Sequence, residues 1–186
     1  MDLLRRNVRQ VYADLPEAIQ SLVPLVSDSA HHVRFANGSS IRVATTMRGS
    51  SLQLLHVSEF GKVAATNPSR AREIVSGSLE TVGRGNLIFI ESTAEGTSGY
   101  FYDYCQNAKA LADKGQKLSS GDYRFFFFPW YQHPDYRLTA PQFIDDSLNV
   151  YFEKLSTEYQ ISLTLEQKNW YAAKRNVLGD DIQREY

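Results

Sequence analysis

Apolar and polar positions along the 186-residue chain sort into strand-like runs and helix-like spacings. Two short apolar runs, at 52–57 and 86–90, predict strands, and their nearly continuous apolar character suits strands covered on both faces. Between them Asn67-Pro68 starts a helix, because the first helical turn has no use for the donor that proline lacks. Apolar Ile74, Val75, Leu79 and Val82 carry that helix over 69–82. Strand, helix, strand implies a parallel pair joined by a right-handed crossover. The unit then repeats as a helix over 98–117, a Gly- and Ser-containing loop, and an aromatic run at 123–131 read as a strand.

The flanks obey simpler rules. Residues 5–27 read as a helical opening broken by Pro16 and Pro24, since proline removes a backbone donor and clashes with the preceding turn. Alternating runs at 32–35 and 40–44 flank Asn37-Gly38, a strong hairpin signal whose two turn positions both call for positive φ. Residues 133–146, with Pro134 and Pro141, read as a connector. Helices over 147–159 and 165–178 come next, the second opened by Thr164 with Gln167 three residues on, a capping box. Gly179 stops it, and 180–186 reads as a short third helix. No internal repeat or low-complexity segment interrupts this order.

Composition narrows the picture mainly by exclusion. At 42% hydrophobic and 22% charged residues, the chain is an ordinary globular one, expected to form one domain. A net charge of −1 and a pI near 6.4 lack the basic bias that announces nucleic-acid binding. Residues 1–90 carry 10 Lys/Arg against 7 Asp/Glu and residues 91–186 carry 10 against 14, an asymmetry that two solvated faces explain. The single cysteine, Cys105, excludes an internal disulfide and a cysteine-built zinc site, and it fits a reducing cytoplasm. No run approaches the ~18 apolar residues needed to span a bilayer. The opening Met-Asp-Leu-Leu-Arg-Arg has no signal-peptide core, so neither export nor membrane insertion is expected. His31-His32 is too isolated for a metal site, and His133 reads as a loop residue. The aromatic positions 125–130 read as a buried strand rather than a base-stacking platform, because only Arg124 is a basic neighbour.

Three segments carry candidate chemistry. The strand at 52–57 delivers Ser58 and Glu59 at its carboxyl end, where open α/β sheets bind ligands. A positioned carboxylate there can orient a water for attack on a γ-phosphate, although a glutamate simply leaving a sheet for solvent is as ordinary a reading. The strand at 86–90 delivers Glu91, Ser92, Thr93, Ala94, Glu95 and Gly96. Small hydroxyl residues at that place can hydrogen-bond a phosphate or the attacked water, or merely cap the next helix. Before the first strand, Thr46-Met47-Arg48-Gly49-Ser50-Ser51 presents one arginine on a glycine-containing segment, either an arginine finger or a surface ion-pair partner.

The order of these pieces resembles the large terminase subunit of tailed bacteriophages. The resemblance runs through Phe35-Ala36-Asn37-Gly38-Ser39, Arg48-Gly49, His56-Val57-Ser58-Glu59-Phe60-Gly61-Lys62 and Ser92-Thr93-Ala94-Glu95-Gly96. It continues in Leu163-Thr164-Leu165-Glu166-Gln167-Lys168-Asn169-Trp170-Tyr171 and Gln183-Arg184-Glu185-Tyr186. It covers nearly the whole chain and lies in order and spacing more than in any one motif. It implies an α/β fold with a mainly parallel sheet of the P-loop NTPase type and flanking helices, incomplete on its amino-terminal side. Residues 1–141 would be the later portion of the ATPase domain and 142–186 a small helical linker subdomain.

The same resemblance implies roles. Glu59 would be the catalytic carboxylate, Ser92 and Thr93 the coupling motif at the nucleotide, and Arg48 the arginine that completes a neighbouring subunit's site. Ser58 would meet magnesium only through water, because many relatives carry Asp at that place and a neutral hydroxyl is the poorer partner for the hydrated ion. ATP and Mg2+ would be the cofactors of the full-length parent, with neither tightly bound by these residues alone. Double-stranded DNA, a portal protein, a small terminase subunit and further copies on the portal would be the partners, with no membrane, in the cytoplasm of a bacterial host.

One departure is large. No G-x-x-x-x-G-K-[S/T] phosphate loop occurs: the Gly61-Lys62 pair is followed by Val63, with His56 where the first glycine would stand. In the family that loop precedes these segments and a nuclease comes after them, so both are expected outside the chain. Two alternatives stay open on sequence grounds, a non-catalytic module binding protein or DNA, and a helicase-like P-loop ATPase.

Overall fold

A computed structural model describes residues 7–186, and the chain divides into two compact units that meet at Ser50 and Ser51. Arg5 and Arg6, assigned above to the helical opening, lie outside the described residues.

The first unit starts with α1 (Arg9–Ala13) and α2 (Glu17–Leu22). Pro16 stands at the start of α2, and Pro24 comes just after its end, as proline rules dictate. Leu25–Asp28 is not helix, contrary to expectation: it forms β1, antiparallel to β2 (His32–Phe35), which pairs with β3 (Ser40–Arg42). Pro24 prevents further helix, and the edge of the hairpin offers the freed backbone its partners. In the turn only Gly38 takes positive φ, at 84°, rather than both central residues. Asn37 Oδ1 accepts from the Ser39 amide at 3.0 Å and makes the turn in the other position's stead. Val33 is the buried centre, Tyr12 packs on Phe35 at 5.7 Å, and Arg9 pairs with Asp28.

The second unit contains β4 (Leu52–Val57), α3 (Phe60–Thr66), α4 (Pro68–Glu73) and β5 (Val82–Ile90), with β5 parallel to β4. Asn67 caps α4 by accepting from the Arg70 amide at 3.0 Å. A π turn (Ile74–Ser78) and a 3-10 turn (Leu79–Thr81) replace the rest of the expected single helix. The ladder bulges between the Leu52–Val82 and Leu54–Leu87 pairs. Gly85 at φ 84° supplies the bend, and the Asn86 side-chain amide donates to Leu52 O at 3.2 Å.

Leu55, Val57, Phe60, Ala71, Ile74 and Leu79 form one core, with Phe101 and Tyr104 of α5 (Tyr100–Asp113) packed against it. The strands are therefore covered on one face, not two: Leu54, Leu87 and Phe89 are more than half exposed. The aromatic run also departs from expectation. Residues 123–129 pair with no strand, and Phe128 is 85% exposed. Phe126, Phe127 and Phe128 are exposed, and only the end of the run, Pro129 and Trp130, is buried.

Trp130 enters a second core with α6 (Asp146–Glu158), α7 (Leu165–Leu178) and α8 (Ile182–Glu185). It lies 5.7 Å from Trp170 and 4.8 Å from Tyr171, ring centre to ring centre. The capping box of Thr164 and Gln167 forms, and the buried Gln167 also donates to Tyr131 O at 2.7 Å. Asn169, likewise buried, accepts from the Gln142 amide and donates to Leu138 O, so the connector is fastened to α7. Among the described residues no helix is long and apolar enough to cross a membrane.

The packing can be tested at two places. Phe60→Ala removes a wholly buried ring and is expected to cost about 3–5 kcal/mol in urea denaturation, folding permitting. Asp145 caps α6 through the Leu148 amide and also meets Ser147 and Arg175; these bonds hold its carboxyl down at about 2. Its contribution to stability is complete above the ordinary value of 3.8 and is lost as pH falls through about 2. Asp145→Asn should therefore flatten the melting temperature's dependence on pH within that acid window and leave its shape at neutral pH alone.

Candidate functional site

Parallel pairing makes the carboxyl ends of β4 and β5 coincide, and the ladder continues beyond both strands. The Glu91 amide donates to Val57 O at 3.1 Å, and the Phe60 amide donates to Glu91 O at 3.1 Å. These two bonds place the exit from β4, Ser58 and Glu59, beside the exit from β5, Ser92 and Thr93, on one rim.

Glu59 is the residue on which β4 turns into α3. Its backbone is left-handed, at φ 55° and ψ 37°, where a non-glycine residue costs about 1–2 kcal/mol. Nothing local demands glutamate: its side chain makes no capping bond and is exposed. Strain held in this way by the surrounding packing gathers at functional sites. Ser58 beside it is exposed as well.

Ser92 is partly buried, and its hydroxyl oxygen is wholly covered with no hydrogen-bond partner. Leaving such a group unmatched costs about 1–3 kcal/mol. It lies against Gly61, where a Cβ would stand 2.8 Å from Ser92 Oγ. His56, at the end of β4, meets Glu91 at 3.3 Å, a half-exposed pair of small energetic weight. Further along the loop, Glu95 accepts from Arg184 of α8 at 3.2 Å, and Arg184 also pairs with Asp181. The loop after β5 is thereby tied to the carboxyl-terminal helices.

The rim thus gathers Ser58, Glu59, Ser92 and Thr93. Arg48 is carried by the first unit, exposed on the segment after β3. Among the described residues no group of three or more His, Cys, Asp or Glu is placed to hold a metal ion. Ser58 and Glu59 offer one hydroxyl and one carboxylate, enough to meet a hydrated magnesium through its waters and too few for a dedicated cage. Gly61, Glu95 and Arg184 had no role assigned from sequence. Only the Phe-Gly pair directly after the acidic residue hinted at close packing, and nothing linked two charges 89 positions apart.

Fold and rim together define a mixed α/β protein with a small parallel two-stranded sheet, flanking helices and a polar rim at the carboxyl ends of its strands. No family model, curated protein or solved structure matches the chain.

Strain at Glu59 is measurable. Glu59→Gly should raise stability by about 1 kcal/mol in urea denaturation, since glycine adopts this conformation without a Cβ penalty. Glu59→Gln should leave stability unchanged, and Glu59→Val should lower it.

Proposed function

We propose that this chain carries the later part of the ATPase domain of a viral DNA-packaging motor, the large terminase subunit of a tailed phage or prophage. The observation that supports it best is the shared rim: a strained acidic residue at the end of one strand and a covered, unpartnered hydroxyl at the end of its parallel neighbour. In this reading the two strands belong to a larger P-loop NTPase sheet.

Each rim residue then has a task. The Glu59 carboxylate orients the water that attacks the γ-phosphate, and its left-handed backbone fixes where that carboxylate leaves the sheet. Thr93 hydrogen-bonds the attacked water or the phosphate, Ser92 joins it once its covered hydroxyl turns out from against Gly61, and the loop they begin passes the change onward through Glu95 and Arg184 to the helical end. Arg48 serves a neighbouring copy's site, where its delocalised charge stabilises the transferring phosphoryl group.

ATP and Mg2+ are the implied cofactors, and the donors present fit them in part. Ser58 and Glu59 would hold the ion through water; when bound, it neutralises phosphate charge. No lysine-ended glycine loop is present among these 186 residues to grip the phosphates. The rim supplies the side of the reaction that handles water. The motor's duplex DNA, portal protein, small subunit and further copies on the portal would be the partners, inside the bacterial host.

Purified chain is expected to release no phosphate from ATP above background, and Glu59→Gln to behave identically. Robust turnover dependent on Glu59 would overturn the division of labour proposed here. The coding frame immediately upstream of Met1 tests the family: an in-frame G-x-x-x-x-G-K-[S/T] supports it, and a frame without one sinks it. Duplex-DNA binding that is steeply salt-dependent and blind to nucleotide would favour a plain interaction module instead.

A further inference from the structure

Gly61 is buried in the first turn of α3, two residues past Glu59, and it faces the exit of β5. A Cβ there would lie 2.8 Å from Ser92 Oγ, 3.1 Å from Thr93 O and 3.1 Å from Phe101 Cδ1. Its backbone φ is not in the left-handed region, so conformation does not require glycine at this position. Space does. Two of the three obstructing atoms belong to the very residues proposed to face the nucleotide, and one of these is rigid backbone.

Resting on the function proposed above, we infer that Gly61 is a positioning residue for the Ser92–Thr93 segment. By presenting a bare backbone, it lets that segment lie directly on α3 and so sets its separation from Glu59. The covered hydroxyl of Ser92 is a consequence of that closeness. A side chain at 61 turns the Ser92 hydroxyl aside and presses the Thr93 carbonyl outward by a few tenths of an ångström, while Glu59 stays with α3. The spacing between the water-orienting carboxylate and the hydroxyls changes, and reacting groups misplaced on the order of 1 Å can lose roughly 100-fold in rate.

The test uses the full 186-residue chain, labelled for amide spectroscopy. Gly61→Ala should shift the Ser92, Thr93 and Glu59 amide signals while the Trp170 indole signal in the other core stays in place. A merely structural glycine would lower the melting temperature and shift only the Ser92 and Thr93 amides that the new methyl touches, with Glu59 keeping its wild-type signal, and that outcome overturns the inference. Ser92→Ala removes the atom at 2.8 Å and should recover part of the stability lost in Gly61→Ala, whereas additive effects of the two substitutions would count against it. Should Gly61→Ala fail to fold, Ser92→Val approaches the same contact from the loop. It should move the Gly61 and Glu59 amides, and unmoved amides overturn the proposal. The coding frame upstream of Met1 separates the two ideas: a frame without a G-x-x-x-x-G-K-[S/T] loop defeats the nucleotide reading and leaves the Gly61–Ser92 coupling to stand or fall on the variants.

Discussion

Two backbone hydrogen bonds beyond the ends of β4 and β5 carry the candidate site. Glu91 N to Val57 O and Phe60 N to Glu91 O extend the parallel ladder past the last paired residue of each strand. They bring segments more than 30 positions apart in sequence to one rim without any side chain taking part. Because side chains alternate across a sheet, slipping β5 by one residue would turn its apolar set to the other face and redirect the residues after Ile90. Leu55, Val57, Ile88 and Ile90 packing on one face make that register the favourable one.

The same register makes the strain at Glu59 intelligible. Its left-handed backbone is held because the next residue, Phe60, is fully buried in the core beneath the sheet. Burying a side chain of that size contributes about 1.5–3 kcal/mol, enough to offset the conformational cost of the turn. Gly61 then brings α3 against the exit of β5. Turn, anchor and close approach occupy three consecutive residues, and each depends on the one before it.

The carboxyl-terminal helices form a core of their own from stacked aromatic rings, yet one ion pair reaches back from them to the rim loop. Arg184, 45% exposed, meets Glu95, 20% exposed, a surface pair that contributes little to stability and marks where the two segments touch. It joins the loop after β5 to α8, whose Ile182 is part of the Trp170–Tyr171 core. A rim that handles phosphate chemistry and a helical end that responds to it would need a link of this kind.

Much of the local structure was legible in the chain. Asn67 and Thr164 with Gln167 start helices because their groups satisfy free amides within four residues, and Asn37-Gly38 marks the hairpin because the glycine takes the positive φ and the asparagine side chain accepts from the Ser39 amide. The apolar runs at 52–57 and 86–90 located both strands, and the residues just past them named Glu59, Ser92 and Thr93 as a pair of exits. Other features were settled by what stands next to what. Whether β4 and β5 are covered on one face or two, and whether residues 123–129 find a strand to join, depends on how many neighbours the sheet has, which periodicity does not record. The covering of Ser92 by Gly61 and the pairing of Glu95 with Arg184 arise between residues 31 and 89 positions apart. Local chemistry along the chain determined the elements and the candidate residues; tertiary contact alone decided their burial, their strain and their distance from one another.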